Sequence, residues 1–393
     1  MVVIWHGRGQ GGRISADTYG YYEIAQNLAG GHGFRLEGKP TSRRGPVYPS
    51  FLALFEKLHS FPLGAQLLQA VLGAISCVLI FWLGSQVFGK EAGLVAAGIY
   101  AVDYLAIRQV VSLMPEVLFV FLLLASVGFI IQGEKRNQFF SLALGGILGG
   151  LAVLTKEVMA FYFIFLAFWL GAGPGSKGSR VLRAGIFLLG FVIIAAPWIV
   201  RNRRTFGEWG FVTSNVGHMF YLGNNPLISG RIVGEEWEYS DDSGFPQNDP
   251  AMPLAFTPEA DKYLMRRGLQ YVRSHPGRFL QLTGGKILRL WYPYYLGSPP
   301  AAKWLTILTY LPILVLGGWG IVRSSKRGRE IIPFLAPIVY LTGVYAVTIS
   351  GIRYRFPAVP FLTLFAAFAL CQLFKDRTSS EYAQIGEPLQ EKR

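Results

Sequence analysis

The sequence is short of charge. Only 15% of its 393 residues are Asp, Glu, Lys or Arg, against about 25% in an ordinary soluble domain. Hydrophobic residues make up 52%, aromatics 15%, and mean hydropathy is +0.36. That balance excludes an ordinary soluble domain and reads as an all-α polytopic membrane protein. Cysteine is nearly missing. Cys77 and Cys371 both fall in apolar runs, which excludes a disulfide framework and leaves them as small hydrophobes. The five histidines, His6, His32, His59, His218 and His275, show no ligand spacing. There is no HExxH, no CxxC, no P-loop and no GxGxxG with an acidic partner. No cofactor is expected, and no metal ion is indicated. Acidic residues are also scarce, 23 against 37 basic ones, for a net charge of +14. Nucleic acid is the usual partner of a basic chain. Here many cations sit in short loops between apolar runs, where the positive-inside rule accounts for them. No nucleic-acid partner is expected.

What is abundant is long apolar runs. Stretches of roughly 17 to 25 apolar residues are membrane-helix candidates. They fall at about 63–88, 92–107, 114–132, 139–155, 158–172, 184–200, 304–322, 331–349 and 356–374, giving nine expected spans. Asp103 lies inside the second. The fourth holds Gly145, Gly146, Gly149 and Gly150, a doubled GxxxG that admits close helix approach. Alternate short loops carry Lys90, then Lys135 and Arg136, then Lys177, Arg180 and Arg183, then Arg323, Lys326, Arg327 and Arg329, with Lys375 and Arg377 opening the tail. The opposite loops carry only Arg108, Lys156, Arg353 and Arg355. This bias sets the first group inside and the second outside. It divides the chain into an outer-face segment (1–62), six spans (63–200), an extracytoplasmic loop (201–303), three spans (304–374) and a cytoplasmic tail (375–393).

The outer segments are not tails. Phe51-Leu52-Ala53-Leu54-Phe55 suits an interfacial helix, Gly223-Asn224-Asn225-Pro226 is a turn signal, and residues 258–274 have a helical pattern. From Arg278 to Tyr295, Lys286 and Arg289 mix with Trp291, Tyr292, Tyr294 and Tyr295. This reads as an interfacial helix with an aromatic belt or as a tenth, poorly hydrophobic span.

Ionisable residues recur near the outer ends of the spans, where charge is costly and usually functional. Asp17, Tyr21 and Ala25 share one helix face, with Asp17 either a general base or a simple N-cap. Arg44 offers a bidentate fork for a phosphate, or anchors the chain to headgroups. Glu116 follows Pro115 as a helix start, or supplies a second carboxylate. Lys156 is a solvated turn residue, or points into an outer cavity. Arg201 and the Arg353-Tyr354-Arg355 run break the positive-inside bias, as ligands or as snorkelling side chains. The acidic run Glu235-Glu236 to Asp241-Asp242 has no ligand-loop spacing and reads as a solvated loop.

Taken in order, these features resemble the glycosyltransferase C superfamily, in particular the bacterial branch related to protein O-mannosyltransferases and lipid A aminoarabinose transferases. The resemblance rests on Asp17-x-x-x-Tyr21-x-x-x-Ala25, Arg44-Gly45-Pro46, Glu116 and Leu154-Thr155-Lys156. It continues through Pro197-Trp198-x-x-Arg201-Asn202, Gly223-Asn224-Asn225-Pro226 and Arg353-Tyr354-x-x-Pro357. It implies a multi-pass enzyme of the cell inner membrane with an extracytoplasmic site. Such an enzyme transfers a sugar with inversion from a polyprenyl-phosphate donor to a glycan, lipid or protein acceptor. Asp17 then matches the catalytic aspartate and Glu116 a second acidic position. Tyr21, Arg44, Lys156, Arg201, Arg353 and Tyr354 are the substrate-binding expectations. Family members carry a membrane helix before the aspartate, so the reading frame is expected to extend upstream by an apolar stretch of about 20 residues. The alternatives are a secondary transporter or lipid flippase, or a non-catalytic member of the same fold. The expected charges gather at one face, not at the midplane where transporter sites lie.

Overall fold

The computed structural model describes residues 16–207, 215–233, 236–239, 257–295 and 298–385, with single positions at 209, 213, 251 and 253. For residues 16, 17, 229–233, 236–239 and 377–385 only the backbone is described. Residues 2–5 and the acids Glu235, Asp241 and Asp242 lie outside the described residues.

The chain opens with helix α1 (Ala16–Ala29), a two-residue hairpin β1–β2 (Arg35–Leu36, Lys39–Pro40) and the amphipathic α2 (Val47–Lys57). The apolar series follows: α3 (Leu63–Val87), α4 (Lys90–Ala101), α5 (Tyr104–Val111), α6 (Glu116–Arg136), α7 (Phe139–Thr155), α8 (Ala160–Gly171) and α9 (Lys177–Phe206). Next come α10 (Val216–Gly223), the antiparallel pair β3–β4 (Ile228–Val233, Glu236–Tyr239), α11 (Pro258–Ser274) and α12 (Pro276–Trp291). The chain closes with α13 (Pro300–Ser324), α14 (Ile332–Val347) and α15 (Val359–Ile385).

Each of the nine expected spans coincides with helix, but they are not equal. By length and composition five helical stretches can cross a membrane: Leu63–Val87, Glu116–Arg136, Lys177–Phe206, Pro300–Val347 and Ile352–Asp376. The fourth contains both α13 and α14, with a turn at Gly328 (φ 54°) between them. The expected second span is broken. α4 and α5 bend by 56° and make a sixth crossing only if taken together. The cause is Asp103, whose backbone is extended and whose carboxylate accepts from the Ala106 N–H at 3.1 Å, starting a new helix inside the run. α7 and α8 are apolar but have 17 and 12 residues. At 1.5 Å per residue they rise about 26 and 18 Å, short of a hydrocarbon core of about 30 Å.

α6 and α15 lie at the centre of the bundle, with about four-fifths of their apolar stretch buried. The doubled GxxxG of α7 explains part of that packing. Gly145 and Gly149 face α6, where Ser126 Oγ donates to the Gly145 carbonyl at 2.6 Å. Gly146 and Gly150 face α9, and a Cβ on Gly146 would overlap the Phe187 carbonyl. One glycine pair per face lets α7 sit tightly between two helices.

Candidate active-site cavity

Pro115 is the N-cap of α6, so the Glu116 carboxylate sits in the first turn, where free N–H groups and the helix dipole favour negative charge. α7 ends at Thr155, and Lys156 adopts an extended conformation before a 3-10 turn at Glu157–Met159. This directs the amine across to α6, where Lys156 Nζ lies 2.9 Å from Glu116 Oε1. The Glu116 side chain is 2% exposed and the Lys156 side chain 15%. The second carboxylate oxygen, Oε2, has no hydrogen-bond partner among the described residues.

Two further walls close on this pair. In the turn before α15, Arg353 lies 5.0 Å over the Tyr354 ring and donates to its hydroxyl at 3.3 Å. Tyr354 stacks on Tyr345 of α14 at 4.7 Å, and Lys156 Nζ stands 5.6 Å from the Tyr354 ring. On the other side Arg44 covers the Tyr21 ring of α1 at 4.6 Å, and Tyr21 meets Tyr48 of α2 edge-on at 5.2 Å. Burial, with Glu116 nearby, pushes the Tyr48 hydroxyl well above its ordinary pKa, so it stays protonated and donates to Gln69 Oε1 at 2.9 Å. Gly45 makes the approach of this wall feasible, since a Cβ there would overlap the Leu154 carbonyl at the end of α7.

The result is a cavity of about 280 Å³. Its charged lining residues are Arg43, Arg44, Lys156 and Arg353 against Glu116 and Glu157. Its apolar and aromatic lining includes Val158, Phe161, Tyr340 and Val344, with Phe161 71% exposed. Cations outnumber carboxylates, so the cavity suits an anion attached to an apolar chain. Among the described residues no three His, Cys, Asp or Glu side chains converge as a metal site.

Six expected residues, Tyr21, Arg44, Glu116, Lys156, Arg353 and Tyr354, line this one cavity. Arg201 does not. It donates to the carbonyls of Thr41 (2.8 Å) and Phe34 (3.3 Å) and lies 4.8 Å over the Trp198 ring, bracing the β1–β2 hairpin against α9. The backbone of Asp17 lies in the first turn of α1, one turn before Tyr21, and its side chain is outside the described residues. Sequence reasoning missed Arg43, Tyr340, Tyr345 and Asn215 as cavity residues. Arg43 carried a signal, being adjacent to Arg44. The tyrosines carried none, because an aromatic in an apolar helix looks the same on any face. The Gly223-Asn224-Asn225-Pro226 turn acts at one remove. Asn224 Nδ2 donates to the Phe220 and Val347 carbonyls at 2.8 Å, and Asn224 Oδ1 accepts from Lys286 Nζ at 3.0 Å. That clasp fixes α10, and with it Val216 and Met219 on the cavity wall.

The family model described as dolichyl-phosphate-mannose-protein mannosyltransferase matches residues 43–200, the segment that supplies Arg43, Arg44, Glu116 and Lys156. The fold itself is matched across the chain. The apo oligosaccharyltransferase of Archaeoglobus fulgidus aligns with a TM-score of 0.57 at 13% identity, covering 93% of this chain and 48% of that one. The fold is thus like that of the glycosyltransferase C superfamily. The same archaeal enzyme tethered to an acceptor peptide with an NVT sequon aligns at 0.57 and 13% identity, covering 93% of this chain and 46% of that one. Its complex with an inhibitory peptide and a dolichol-phosphate aligns at 0.55 and 15%, covering 96% and 48%. The chain thus spans about half the length of these superfamily members. Comparison with curated proteins finds no match.

Proposed function

We propose that this protein is a membrane glycosyltransferase that takes a sugar from a polyprenyl-phosphate donor. The sugar passes to an acceptor hydroxyl or phosphate at the extracytoplasmic face of the cell inner membrane. The carrying observation is that one cavity is lined both by four cations and by apolar side chains, among them Phe161, which is itself 71% exposed. A phosphate joined to a long apolar chain matches both kinds of lining at once. The archaeal superfamily structure holding a dolichol-phosphate supports the same class of ligand.

In this reading the acceptor oxygen attacks the anomeric carbon from the side opposite the carrier. The bond from that carbon to the phosphate oxygen breaks, configuration inverts, and the acceptor proton passes to Asp17. The electron pair leaves with the polyprenyl phosphate. Arg44, Lys156 and Arg353 stabilise its growing charge in a partly dry cavity, where fixed cations act far more strongly than in water. Glu116 holds Lys156 in place. The nine-crossing arrangement, with the cavity outside and the C-terminus in the cytoplasm, belongs to the same proposal and rests on the loop charges.

The test is transfer of labelled sugar from a polyprenyl-phosphate hexose to envelope acceptors by the reconstituted full chain. Asp17→Asn keeps size and removes the proton acceptor, so transfer should fall by at least ~100-fold with membrane insertion intact. Near-normal turnover in that variant would remove Asp17 from the mechanism. Label that stays on every carrier offered to the wild-type chain would overturn the reading.

A further inference from the structure

α12 is built inside out. Its fully buried positions include Lys286, 0% exposed, and Arg289, 1% exposed. Its outward positions are mostly apolar, with Leu280 69% and Leu288 71% exposed beside the exposed Gln281 near its start. The pattern is helical. Leu280, Gly284, Ile287 and Leu288 fall on one face by steps of four, three and one, and Leu282, Lys286, Arg289 and Leu290 on the other. A helix against water turns its cations out and its leucines in. The opposite arrangement is the one expected where lipid replaces water, with charged groups facing the bundle interior.

Position agrees with polarity. Trp291 Nε1 donates to Thr342 Oγ1 at 3.2 Å, a residue within the apolar helix α14, whose Val339 is itself turned outward. The end of α12 therefore lies alongside α14 and below its outer terminus. Immediately before α12, separated by His275 alone, α11 has the reverse character. Lys262, Arg266, Arg267 and Arg273 are exposed on it, against Glu259 as its one exposed acid. Its inner face, Ala260, Leu264 and Gly268, is buried, with Gly268 against Phe220 of α10.

We propose that α11 and α12 form a membrane seat for anionic phospholipid. The α12 stripe lies in the acyl layer, and the α11 cations hold acidic headgroups at its rim. The pairing of an apolar face with a basic face gives two attractions to the same leaflet, and each cation near an anionic surface adds favourable energy. The seat reaches the cavity through both helices. α11 backs α10, which carries Val216 and Met219. α12 holds the segment before α15, since Ser350 Oγ donates to the Lys286 carbonyl at 2.8 Å and Arg355 to the Leu290 carbonyl at 3.2 Å. Lipid occupancy thus supports the wall that carries Arg353.

The proposal is tested on the full chain in vesicles of phosphatidylcholine and phosphatidylglycerol, with Cys77 and Cys371 replaced, by readouts that need no sugar transfer. Nitroxides at Leu280→Cys and Leu288→Cys are expected to collide more with dissolved oxygen than with a water-soluble nickel chelate. A label at Gln270→Cys on α11 should show the reverse. A donor fluorophore at Gln270→Cys is expected to transfer energy to a tracer phosphatidylglycerol several-fold more than to a tracer phosphatidylcholine. R266E/R267E/R273E should abolish that preference while leaving the α12 labels immersed. Nickel-accessible labels at 280 and 288 would overturn the proposal and point to a water-facing protein interface. So would equal transfer to both tracers in the unaltered α11 background.

Discussion

The Glu116–Lys156 pair permits a worked test of the cavity. At 2.9 Å and an effective dielectric constant of about 20, the attraction is about 6 kcal/mol before desolvation is subtracted. Lys156→Met leaves a carboxylate that is 2% exposed without its amine, and removing one partner of a buried pair costs about 3–5 kcal/mol. The low end applies here, about 3 kcal/mol, because the lysine side chain borders the cavity and Arg353 lines the same cavity. Glu116→Gln leaves the more exposed partner, which can turn to cavity water, and should cost about 1–2 kcal/mol. The double variant strands neither charge. It should recover most of the Lys156→Met loss, with a coupling energy above about 1.5 kcal/mol. Transfer separates from stability: Lys156→Met and the double variant both lose the proposed phosphate contact, so rates should fall about 100-fold. Unfolding in mixed micelles followed by tryptophan fluorescence, alongside the transfer assay, measures both. A Lys156→Met protein as stable as wild type, or a double variant less stable than Lys156→Met, would refute the buried-pair reasoning.

The neighbouring arginines Arg353 and Arg355 should behave oppositely. Arg355 is 0% exposed, stacks on Tyr310 at 3.6 Å and donates to the carbonyls of Leu290, Tyr292 and Pro293. Arg355→Met should therefore destabilise by about 3 kcal/mol or more, whereas Arg353→Met should abolish transfer with little change in unfolding. Gly45→Ala, by pushing α2 off the end of α7, should lower transfer at least tenfold without moving any catalytic group in the sequence, as read by kcat at saturating donor. Burial raises the Asp261 carboxyl above its ordinary 3.8, opposed in part by the N–H groups of His218 and Gly217. The folded chain then holds that proton more tightly than the unfolded chain, so the contribution is full below the ordinary value and is lost as pH rises through the raised one. Asp261→Asn, which keeps an acceptor for the His218 N–H, should flatten this part of the stability profile in a pH-dependent unfolding series. For topology, an impermeant thiol reagent on intact cells should label Ser240→Cys and spare Ser379→Cys, and the reverse would refute the proposed orientation.

Composition and periodicity alone determined that this is a helical membrane protein, because transfer to a bilayer is a property of local sequence that needs no partner. The positions of the nine apolar runs followed for the same reason. So did the close-packing role of Gly145, Gly146, Gly149 and Gly150, since a missing Cβ is a local fact. The continuity of a run was not legible. Asp103 breaks the second expected span through its own cap, and nothing in hydropathy distinguishes an acid that interrupts a helix from one that ends it. Which charges meet was decided only by tertiary packing. Arg353 and Arg355 are two residues apart with the same chemistry, yet one faces the cavity and the other knits α12 to α15, because the short 3-10 turn between residues 352 and 358 sends them to different sides. Arg201 looked like a cavity ligand and serves the hairpin, since its partners, the carbonyls of Phe34 and Thr41, are more than 150 residues away. The inversion of α12 had the same origin. Its sequence gave two readings, interfacial helix or weak span, and only the packing of Lys286 and Arg289 inward with Leu280 and Leu288 outward showed which face meets the protein.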